Sequence, residues 1–186
     1  MADNYYPTDC DEQQELYTCE NCDEQTEHGR VRHVALVRKK YLPTILADPT
    51  NPQVWKDGLA YGDVIIIPDV IGTWNGGEPK EGTGYGDQEG GIDGFNHEIN
   101  FKDKRLKSNS NFYKTLAKSK DRVAVWALES LIFISTKTVS IAPKTPVTEN
   151  LSDIVNWEVK IKCFEPDILI PHERSDEIFT CAFITA

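Results

Sequence analysis

Residues 155–163 read VNWEVKIKC. Val155, Trp157, Val159, Ile161 and Cys163 take alternate positions, and Asn156, Glu158, Lys160 and Lys162 fill the gaps. Successive side chains on an extended chain point to opposite faces, so this pattern predicts a strand with one face in a core and the other in water. The same reading spreads outward from here. Residues 95–101, FNHEINF, put Phe95, His97, Ile99 and Phe101 on one face. Residues 30–38, RVRHVALVR, group Val31, His33, Ala35 and Val37. The run DVIIIPDVI, 63–71, predicts a strand buried on both faces, with Pro68 marking an edge or a bulge. Further strands are expected over 122–128 and 130–136, and a last one over 177–185, EIFTCAFIT. APKTP at 142–146 and DPTNP at 48–52 punctuate the pattern.

Only SNSNFYKTLAKSK, 108–120, predicts a helix, with Ser108, Asn109 or Ser110 as its cap and Phe112 and Leu116 as partners one turn apart. Many short strands with turn signals between them predict a mainly β fold, a β-sandwich or β-barrel with one short helix. The 186 residues fit one β-rich domain, 30–186, preceded by an extended acidic arm, 1–29. Nine of the twelve glycines fall in 72–94, which reads as a long Gly-rich loop.

The net charge of −10 is unevenly placed. Residues 1–29 hold nine acids and no Lys or Arg, leaving 21 acids against 20 basic residues in the rest. Residues 101–122 reverse the bias: Lys102, Lys104, Arg105, Lys107, Lys114, Lys118, Lys120 and Arg122 face only Asp103 and Asp121. The bland reading makes both stretches solvated faces. The sharper one lets the acidic arm of one chain meet the basic stretch of another. Phe101, Phe112 and Tyr113 interleave the basic stretch, a pattern that can also track nucleic acid, although the overall charge opposes a dedicated binder. The acidic N-terminus resembles no signal peptide, and no apolar run is long enough to span a bilayer, so a reducing compartment and no membrane partner are expected.

Three of the five cysteines lie in the arm. Cys19 and Cys22 have metal-knuckle spacing, and Cys10 and His28 complete a candidate tetrahedral set for a structural zinc. A metal can organise an arm too polar to fold by burial. Against it stand the missing second knuckle and an acidic setting that disfavours free thiolates, so free thiols in a polar arm are the competing reading. Cys163 and Cys181 sit at strand positions and read as core residues. GTGYG at 82–86 lacks the Gly-Lys-Ser/Thr ending of a phosphate loop. His97-Glu98 is not the start of HExxH, because position 101 is Phe, and His97 and His33 read as core histidines. No Gly-x-Ser-x-Gly occurs, and no catalytic residue or required cofactor is expected.

The order of elements now bears on identity. An arm, a strand, a Gly-rich loop between strands, a capped helix, then NWEVKIKCFEPD (156–167) and EIFTCAFI (177–184) resembles bacteriophage tail-tube-like proteins, most strongly over 30–41 and 95–186. The cysteine arm departs from simple tube proteins and leaves a tube, a connector ring or an accessory capsid subunit open. The resemblance implies a non-catalytic virion subunit of tail or neck, located in the virion and in the host cytoplasm during assembly. Its partners would be copies of itself, other virion proteins and DNA passing through the ring. Asp11 and Glu12 on the arm, and Lys104, Arg105 and Lys107 opposite, are the expected subunit contacts. Two rivals remain: a monomeric binding module using the Gly-rich loop and Trp74, and a zinc-dependent accessory protein for nucleic acid.

Overall fold

The computed structural model describes residues 29–83, 90–106, 108–147 and 155–185. Its strands are β1 (His33–Arg38), β2 (Val64–Ile67), β3 (Ile71–Trp74), β4 (Glu78–Glu81), β5 (Ile92–Asp103), β6 (Arg122–Ala127), β7 (Leu131–Ile134), β8 (Ser140–Lys144), β9 (Trp157–Glu165) and β10 (His172–Glu173). Its helices are α1 (Leu42–Ala47), α2 (Pro52–Ala60), α3 (Ser110–Leu116) and α4 (Cys181–Thr185). The strands form two antiparallel sheets, β10-β7-β6-β1-β2 and β3-β5-β9-β8, with β4 also paired to β5. The fold is mainly β and has the architecture of a sandwich; neither sheet closes into a barrel.

The alternation in 155–163 sets the second sheet. Val159, Ile161 and Cys163 enter the core, while Glu158, Lys160 and Lys162 lie on the opposite face. Ile161 pairs with Ile99 and Val159 with Phe101, so the apolar faces of β9 and β5 coincide. From the first sheet, Val34, Leu36, Ala124, Trp126 and Phe133 meet them. The first sheet is buried on its other face as well. Ala35, Val37, Val123, Val125, Ile132 and Ile134 pack under Leu42, Ile45, Trp55, Ile178 and Phe179. The molecule is thus three layers deep: sheet, sheet, helices. That explains why all six residues of β6, RVAVWA, are buried.

Several expectations are corrected here. Ala35 and Val37 share the helix-side face as read, but Val31 belongs to the core between the sheets. It precedes β1 and bridges to Gly72 instead of extending the strand. DVIIIPDVI forms two strands, one in each sheet. Pro68 and Asp69, the latter at φ 55°, turn the corner by which the chain changes sheets. Of the expected 72–94 loop, residues 72–74, 78–81 and 92–94 are strand: β3 and β4 both pair with β5, and Gly82 N–H donates to Gly91 O at 2.7 Å. The punctuated stretch after β1 is helical. Pro43 and Pro52 sit in first turns, where a missing N–H costs nothing, and the Asn51 side chain caps α2 by accepting from Gln53 N–H. Residues 181–185 are helix α4, not a final strand.

Candidate functional site

Cys10, Cys19, Cys22, His28, Asp11, Glu12 and Lys107 lie outside the described residues. Among the described residues no group of His, Cys, Asp and Glu is arranged to hold a metal. Cys163 is buried opposite His97, and burial, then the Glu165 charge, pushes its thiol up to about 12. It is a packing residue, not a thiolate ready for metal or attack. No helix among the described residues is long and apolar enough to cross a membrane.

Burial lowers the basicity of both His97 and His33. His97 is 3% exposed; its Nδ1 accepts from Trp74 Nε1 at 3.2 Å, and burial lowers its basicity. With Nδ1 accepting, the ring proton sits on Nε2. Trp74 stacks on His97 and packs against Trp126 and Phe133, so this aromatic belongs to the core wall and not to a free loop. Gly77, at φ 88°, lies directly over this ring; a Cβ there would come within 2.6 Å of His97 Cε1. His33 stacks on Phe179 and accepts from Asp69 N–H; burial, then Arg174, bring it to about 4.

The buried carboxylates are all engaged in holding the frame. Asp103 accepts from Tyr113 O–H at 2.8 Å, Asn109 Nδ2 at 2.9 Å and Arg105 N–H at 3.0 Å, which docks α3 onto the end of β5. Asn109 therefore spends its side chain on Asp103 and makes no cap bond to α3. Glu165, 1% exposed, accepts from the backbone N–H groups of Thr136 and Lys137 and pins the β7–β8 turn. Asp63 pairs with Lys40 and Arg38.

The basic stretch 101–122 does not form one patch. Lys102 pairs with Glu158 on the outer face of the second sheet. Arg105 pairs with Asp103 and donates to Pro68 O at 2.7 Å. Arg122 is buried and donates to Leu36 O. Lys104, Lys114, Lys118 and Lys120 remain without an ion pair among the described residues. Of these, Lys104 lines a cleft with Arg30, Arg32, His33 and the Asp69–Ile71 corner, a grouping of distant segments that no sequence window could reveal.

The sheet edges differ in how they are protected. β4 carries Glu78, Pro79, Lys80 and Glu81 and a bulge between Lys80 and Glu81. β8 holds Pro143 and Lys144. β3 is bridged at Gly72 by Val31, whose N–H donates to Gly72 O at 3.1 Å. Charge, proline, bulges and cover all discourage edge pairing. β2, VIII, carries no charge, proline or bulge, and although α2 lies against it at Gly58 and Val64, no strand among the described residues pairs with its outer edge. Comparison of the chain with protein-family models, characterised proteins and solved structures gives no match.

Proposed function

We propose that this chain is a non-catalytic structural subunit that assembles with copies of itself into a ring, in the tail or neck of a bacteriophage particle. The observation that carries the assembly reading is the uncharged, proline-free outer edge of β2 at the end of an otherwise guarded sandwich. A strand edge without a paired neighbour is a template for pairing with another chain, and a head-to-tail contact that closes on itself makes a ring. The separation of charge supports it: nine acids and no Lys or Arg in residues 1–29, against unpaired lysines on the domain. The placement in a phage particle rests on the resemblance in element order. With it come the virion and assembling host cytoplasm as location, other virion proteins as neighbours and DNA as passing cargo. Trp74, half-buried and packed on Trp126 and Phe133, lends less support to a monomeric binding module than a free loop residue would.

Native mass spectrometry of the full chain tests the reading. A closed multimer at low salt that loosens as salt rises is expected, because exposed charge pairs are screened within about 10 Å at 0.1 M. A monomer at every salt and concentration overturns self-assembly.

A further inference from the structure

The cleft around Lys104 lies where the chain leaves the acidic arm. Arg30 and Arg32 precede β1, the 69–71 corner joins the two sheets, and Lys104 follows β5. Arg32 is partly neutralised by Glu129 at 2.9 Å. Arg30 and Lys104 are exposed and have no ion pair among the described residues. Three cations, Arg30, Arg32 and Lys104, thus line the cleft against one carboxylate, Asp69.

We propose that the cleft of Arg30, Arg32 and Lys104 receives the acidic segment 9–15, DCDEQQE, of a second copy of this chain. The proposal rests on the self-assembly reading and names the contact it requires. Asp9, Asp11, Glu12 and Glu15 put four carboxylates in seven residues with no cation among them. Guanidinium groups bind carboxylates through paired N–H donors, and Lys104 adds a point charge. The covalent reach allows it. About 18 residues separate Glu12 from Arg30, a span of up to roughly 60 Å when extended. A compact domain of about 160 residues is roughly 40 Å across. The segment can therefore cross from one copy to the equivalent cleft on the next, and the same contact repeated around a ring is heterologous.

Zero-length carbodiimide cross-linking of a mixture of unlabelled and 15N-labelled full chain tests this, with oligomer mass measured on the same sample. The expected result is a mixed-isotope cross-link joining Lys104 Nζ to a carboxylate within 9–15. Its yield should fall several-fold at high salt and in Arg30→Gln, with the circular dichroism of that variant unchanged. Cross-links to 9–15 in single-isotope species alone place the segment in its own cleft and overturn the proposal. So does a yield at Lys104 no greater than at Lys114, Lys118 and Lys120. A multimer without the Lys104 cross-link sinks this contact and leaves self-assembly standing, whereas a monomer without it removes both.

Discussion

Glu165 shows how a charged residue can be structural. Its carboxylate is 1% exposed and is met by two backbone N–H groups and the Thr136 hydroxyl. In Glu165→Ala the buried N–H groups of Thr136 and Lys137 lose their shared acceptor, at a cost of about 1–3 kcal/mol. Urea unfolding should show a lower midpoint with an unchanged slope; a midpoint equal to wild type contradicts the capping role. His33 supplies a pH dependence. Its folded value, about 4, lies below the ordinary 6.5, so the unfolded chain takes up the proton first as pH falls. Its contribution to stability is full above pH 6.5 and is lost progressively as the pH drops toward 4. His97 is shifted in the same direction and adds to the loss. Chemical denaturation between those pH values should give a falling midpoint whose slope flattens in His33→Gln; equal slopes would refute the assignment.

At the scale of elements, the edge of β2 is the feature with a consequence for assembly. Ile65 is only partly buried and packs against the rim of the core between the sheets. Placing a lysine on an edge strand is a common way of refusing a partner strand. Ile65→Lys should retain the far-ultraviolet spectrum and lose about 1–2 kcal/mol of stability, from the apolar area given up. Its sedimentation should move to the monomer. A variant that folds and still assembles shows that the copies do not join through β2. The short helices follow a different logic. α1, α2 and α4 have five to nine residues each, too short to persist alone, and are held by the face of the first sheet. Trp55, fully buried with its Nε1 donating to Pro49 O, is the anchor that ties α2 to that face.

Across the whole molecule, the sequence by itself determined the strands with one wet face. β9 and β5 were legible because water on one side enforces strict alternation, and Glu98 with Lys160 and Lys162, or Glu158 with Lys102 and Lys144, line the wet side. The sequence also determined the charge asymmetry of the arm and the core roles of His97 and Cys163. Tertiary structure alone decided the third layer. β1 and β6 are covered on both faces, so the unbroken apolar runs Val34–Val37 and Val123–Ala127 carry no period to read. The same ambiguity concealed α4, whose Phe183 reaches the core, with Ile178 and Phe179 just before the helix, without a long helical repeat. It also concealed the corner at Pro68–Asp69, since a strand that changes sheets and a bulged strand look alike in one dimension. The cleft of Arg30, Arg32 and Lys104 was illegible for a simpler reason. Lys104 lies more than seventy residues from Arg30 and Arg32 in the chain and becomes their neighbour only when β3 and β5 pair and Val31 bridges to Gly72.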